Sequence, residues 1–109
     1  MNKRIWLIAI LASMFGTVAA QADDSETNQM AKKIKAKVER EVRKYKKPLD
    51  GYCDFTIEME HKGKFAYIER VRTNGDFKLC KVGKKALKKG MRFRYQEPEK
   101  FIRIQVVQK

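Results

Sequence analysis

The chain has 109 residues and a formal net charge of +13, from 26 lysines and arginines against 13 aspartates and glutamates. That length supports one small domain, and a single histidine beside two cysteines lacks the parts of a zinc site or a Ser-His-Asp hydrolase. The basic excess predicts attraction to something anionic, whether nucleic acid, lipid head groups or an acidic protein surface, without choosing among them.

Lys3 and Arg4 precede an uncharged apolar stretch, residues 5–20, that ends in small side chains. This is the pattern of a secretory signal peptide over residues 1–22, with cleavage expected after Ala20 or Ala22. The alternative is an uncleaved membrane anchor, because the apolar stretch is only slightly short of the ~20 residues that span a bilayer. No cysteine lies near the site, which excludes lipoprotein anchoring. Export to an oxidising compartment predicts a structural disulfide between Cys53 and Cys80. A redox role would favour closer spacing, such as Cys-x-x-Cys.

Residues 23–50 form the first unit after the signal. Met30, Ile34, Val38, Val42 and Tyr45 recur at helical spacing, with Ser25 or Thr27 as candidate N-cap, and predict an amphipathic basic helix that ends before Pro48. Residues 51–109 are expected to hold the disulfide-linked core. Residues 54–60 alternate, with Phe55, Ile57 and Met59 on one face, and predict a half-buried strand. A turn at residues 61–64 leads to a second strand over residues 65–72, whose inward face is left undecided by Tyr67 and Ile68. Thr73, Asn74, Gly75 and Asp76 predict a turn, with Asp76 capping a helix to about Lys89. Leu79, Cys80, Gly83, Ala86 and Leu87 share one face of that helix. A basic connection through Met91, Phe93 and Tyr95 reaches a third strand over residues 101–107, where Ile102, Ile104 and Val106 alternate with Arg103, Gln105 and Val107. The expected fold is a small α+β two-layer sandwich in the order helix, strand, strand, helix, strand, with a three-stranded antiparallel sheet packed by helices.

Cys53 at the head of a strand, Gly63 in a hairpin, and Gly75-Asp76-Phe77-Lys78-Leu79-Cys80 opening a helix form one constellation. In these features the chain resembles the C-terminal, third domain of the cell-envelope protein TolA, related in fold to the C-terminal domain of TonB. The resemblance runs from about Lys32 to Lys109. It implies a non-enzymatic interaction domain in the periplasm of a Gram-negative bacterium, with TolB-like proteins, colicins or filamentous phage coat domains as partners, no cofactor or metal, and a monomeric state. A free copy of such a domain would serve as an adaptor, an auxiliary Tol component or a decoy.

Partner binding is expected by strand addition at an open sheet edge. The candidate edges are Phe101, Ile102, Arg103, Ile104, Gln105, Val106 and Val107, or Phe65, Tyr67, Glu69 and Val71. A rival reading uses the basic patch Lys81, Lys84, Lys85, Lys88, Lys89, Arg92 and Arg94 to bind an anionic lipid surface or, less favoured, nucleic acid, with Phe93 and Tyr95 as stacking groups. A third reading, a secreted inhibitor of an extracellular hydrolase, finds no protruding loop to carry it. Asp54, Glu58 and Glu60 share a strand face and read as solvated carboxylates rather than an acid–base pair, and His61 is assigned no chemistry.

Overall fold

The computed structural model describes residues 23–109, so the expected signal segment lies outside the described residues. After a single 3-10 turn at Asp24–Glu26, the elements are α1 (Gln29–Lys44), β1 (Gly51–Lys62), β2 (Phe65–Gly75), α2 (Phe77–Lys84), β3 (Arg92–Arg94) and β4 (Phe101–Gln108). The four strands form one antiparallel sheet in the order β3-β2-β1-β4. The class is α+β as expected, but the sheet has four strands where three were predicted, and β1 is an inner strand.

The additional strand is three residues long, too short for alternation to register as a strand signal. Arg92 and Arg94 are exposed while Phe93 is buried, and β3 pairs with only Phe65, Ala66 and Tyr67. Other boundaries move, among them those of β1, which runs from Gly51 to Lys62 rather than over residues 54–60. Helix α1 begins later than expected because Asn28, rather than Ser25 or Thr27, accepts the Ala31 N–H at 2.9 Å and caps it. Strand β2 continues through the expected turn, pairing Thr73 with Phe55 and Gly75 with Cys53. Helix α2 starts at its predicted cap, where Asp76 accepts the Leu79 N–H at 2.9 Å, but ends at Lys84 instead of near Lys89. There Lys85, Ala86 and Leu87 donate three residues back, the tightening turn carries Leu87 into the core, and Gly90 and Met91 bond to Ile68 on β2.

The undecided inward face of the second strand has a physical cause. A bulge between Glu58 and Met59 leaves Glu69 without a partner on β1, and the alternation changes phase there. Ala66 and Ile68 are buried before the bulge, and Val71 is the residue that packs on the core after it.

Both helices cover the same side of the sheet. Met30, Ala31, Ile34, Val38 and Val42 of α1 join Phe55, Ile57, Ile68, Ile102 and Ile104 in one core, so residues 23–50 and 51–109 share a single hydrophobic cluster. Gly83 sets the closest approach. A Cβ there would lie 2.7 Å from the Phe55 ring and 3.0 Å from Val38, so this position of α2 has no room for a side chain. Gly75, at φ +135°, is the second constrained position, since a Cβ would collide with the Tyr52 carbonyl. The Cys53–Cys80 disulfide, with Cα atoms 5.3 Å apart, ties the start of α2 to β1 and closes a loop spanning 27 positions. On chain entropy it contributes roughly 3 to 4 kcal/mol.

Gly83→Ala should therefore destabilise the fold by about 1 to 3 kcal/mol, although alanine is the better helix former. Cys80→Ser should cost about 3 kcal/mol. Urea midpoints, with the slope unchanged for Gly83→Ala, check both.

Candidate protein-interaction site

Among the described residues, single-sided cover leaves one sheet face bare. On that face the register aligns Arg70, Glu58 and Phe101 in one row across β2, β1 and β4, then Arg72, Thr56 and Arg103, then Asn74, Asp54 and Gln105. A depression of about 580 Å³ lies over the last two rows, lined among others by Thr56, Arg72, Arg103, Asp54 and Tyr52. Glu58 meets both Arg70 and Lys100 at 3.8 Å, and Asp54 accepts from the Gln105 amide at 2.8 Å. Arg72 and Arg103, both exposed, form no ion pair among the described residues.

The two outer edges are unequal. Along β4 the N–H groups of Arg103 and Gln105 point away from β1, and both are taken. Asp24 Oδ2 accepts from Arg103 at 2.8 Å, and Asp23 Oδ2 accepts from Gln105 at 3.1 Å. The 3-10 turn is thus folded over the middle of this edge. It is fixed there by the Lys35 ammonium, 2.8 Å from Asp23 Oδ2, and by the Ser25 N–H and hydroxyl on Asp23 Oδ1. Burial alone would push the Asp23 carboxyl up. The Lys35 ammonium, the Ser25 donors and the Gln105 N–H outweigh it and hold the pKa at about 2, below the ordinary 3.8.

On the other side, β3 and Met91 occupy the outer edge of Phe65, Ala66, Tyr67 and Ile68. Beyond them nothing among the described residues does. Carrying the two-residue alternation across the register from the outward Arg103 and Gln105 turns Arg70, Arg72 and Asn74 toward β1 and leaves Val71 and Thr73 pointing outward. Among the described residues, the outward N–H and C=O of Val71 and Thr73 have no hydrogen-bond partner.

The residues expected to bind are therefore distributed unevenly. Of the β4 candidates, Ile102, Ile104 and Val106 are core, Arg103 and Gln105 carry the aspartate clamp, and Phe101 and Val107 expose their side chains. Of the β2 candidates, Phe65 and Tyr67 are paired with β3, Glu69 sits in the bulge, and Val71 belongs to the free stretch. Thr73, next along that stretch, was missed because its turn-like sequence hid a continuing strand.

The basic patch divides. Lys81, Lys84, Lys85, Lys88 and Lys89 are exposed along α2 and the turn that follows it, whereas Arg92 and Arg94 stand on the bare face, 4.3 and 5.7 Å from the Phe65 ring. Phe93 is buried, and Tyr95 donates its hydroxyl to the Gly63 carbonyl and meets the His61 ring edge-on at 4.6 Å, so neither offers a free stacking face. Among the described residues, no cluster of His, Cys, Asp or Glu could hold a metal ion, and no helix is long and apolar enough to cross a membrane.

Comparison with protein-family models, curated proteins and solved structures found no match.

A depressed folded-state pKa means that Asp23 contributes stability above its unfolded value and loses it as the pH falls from 3.8 toward about 2. After solvent screening the effect is on the order of 1 kcal/mol. Asp23→Asn should lower the melting temperature at pH 7 and narrow its gap from wild type as acid is added. Thermal melts of both proteins across that range check the sign.

Proposed function

We propose that this chain is a non-enzymatic periplasmic interaction domain of the TolA C-terminal kind, which takes up an extended segment of a partner protein by strand addition along residues 71–75 of β2. The observation that carries the reading is the contrast between edges. Val71 and Thr73 hold unpartnered, outward backbone groups on an ordered strand, while the outward N–H groups of Arg103 and Gln105 are already bonded to Asp24 and Asp23. An added strand satisfies such groups with little demand on side-chain identity. The disulfide supports an oxidising compartment. By resemblance, the partner classes are TolB-like proteins, colicin translocation domains and phage coat domains, met as an adaptor, an auxiliary Tol component or a decoy.

A second reading, a cationic binder of anionic lipid surface, is favoured by one observation. Lys81, Lys84, Lys85, Lys88 and Lys89 are all exposed, and none of them forms an ion pair among the described residues. Such binding would weaken steeply with added salt.

Thr73→Pro removes an outward donor that folding does not use, whereas Arg103→Pro removes one that Asp24 already accepts. With circular dichroism confirming the fold of each, Thr73→Pro should weaken binding of TolB or a colicin translocation domain by about tenfold. Arg103→Pro should cost stability and leave binding within about threefold of wild type. Binding that is indifferent to Thr73→Pro but lost when Lys84, Lys85, Lys88 and Lys89 are neutralised would transfer the function to the lysine surface.

A further inference from the structure

The free stretch of β2 has two unlike flanks, and they restrict what can lie beside it. On the bare face are Arg70 and Arg72, both exposed. Arg70 has only a 3.8 Å contact with Glu58, which Glu58 shares with Lys100, and Arg72 has no ion pair among the described residues. Two strands away, roughly 10 Å at the usual strand spacing, Arg103 adds a third guanidinium in the same row, again without an ion pair. On the helical side, between the two arginines in sequence, Val71 is half-buried against the core.

A strand laid along this edge places its side chains alternately on those two flanks, each beside the residue it directly faces. The residues facing Arg70 and Arg72 would lie on the bare face, within reach of one guanidinium that is weakly paired and one that has no ion pair among the described residues, both suited to bidentate pairing with carboxylates. The residue facing Val71 would lie on the helical side and extend the core. The other edge offers a precedent within the chain, because the outward donors of Arg103 and Gln105 are satisfied by the carboxylates of two consecutive acidic residues, Asp24 and Asp23.

We infer that the segment accepted by β2 is acidic, with carboxylates at alternate positions facing Arg70 and Arg72 and an apolar side chain between them facing Val71. The inference rests on the strand-addition reading above and adds the chemistry of the partner to it.

Capped, fluorescein-labelled peptides with a Glu-Val-Glu-Val-Glu core, and with Gln or Lys in place of Glu, test it by fluorescence anisotropy near physiological salt. The glutamate peptide should bind the wild-type protein about tenfold more tightly than the glutamine peptide. Arg72→Glu should abolish that preference and favour the lysine peptide. The double variant Lys32→Glu, Arg40→Glu changes the net charge more but lies on exposed positions of α1, the helix that packs against β4, and it should shift affinity less than about threefold. Thr73→Pro should weaken all three peptides. Equal affinity for the glutamate and glutamine peptides, with Thr73→Pro still weakening both, would overturn the acidic code and leave strand addition standing. Glutamate-peptide binding that ignores Thr73→Pro and is displaced equally by an oligothymidylate would overturn both in favour of a general polyanion surface. Failure of every peptide to bind would overturn both as well.

Discussion

Phe55 is the side chain on which both layers close. It is fully buried in β1, its ring lies against the bare backbone of Gly83 in α2, and Val38 of α1 reaches the same spot. A helix can approach a sheet this closely only where a side chain is missing, and the disulfide two residues earlier in β1 holds α2 at the place where Gly83 meets Phe55. The helices and the inner face of the sheet are thereby used up in one core. Nothing among the described residues remains to cover the other face, so that face stays open to a partner beside the sheet edges.

Much of this arrangement can be read from the amino-acid order. Strands β1 and β4 alternate cleanly because each has one buried and one open face, and α1 announces itself through Ile34, Val38 and Val42 at helical spacing. Asp76 declares the start of α2 by its side chain. The regions that escape share a cause, which is that tertiary contacts override local pattern. Thr73, Asn74 and Gly75 look like a turn, yet pairing with β1 keeps them extended, and the positive φ of Gly75 serves a strand end that passes close to the Tyr52 carbonyl. The bulge at Glu69 inverts the alternation halfway along β2, so neither face looks consistently apolar over the whole strand. After Lys84 the chain abandons a lysine-rich helical pattern because Leu87 finds the core and Gly90 and Met91 find β2.

The aspartate clamp is the least legible feature. Asp23 and Asp24 read locally as a polar start to the chain beyond a processing site. Their partners lie 82 and 79 positions away, and no spacing rule links an acidic pair to the backbone of a distant strand. The only local hint is Ser25, whose N–H and hydroxyl both turn back to Asp23 and give the segment a defined shape.

The two edges answer the same hazard in different ways. An uncovered strand invites pairing with any other strand, including its own copy. On β4 the chain spends two carboxylates as substitutes for the carbonyls of a neighbour. On β2 the protection is selective. If two copies paired antiparallel through this stretch with Val71 or Arg72 at the centre, arginine would face arginine on the bare face, and directly opposed like charges destabilise a sheet. A protein with a formal charge of +13 adds repulsion at longer range. The same arginines that discourage a second copy would favour a segment carrying carboxylates. An edge can thus stay open to a partner without being open to itself, provided that the partner differs from it in charge.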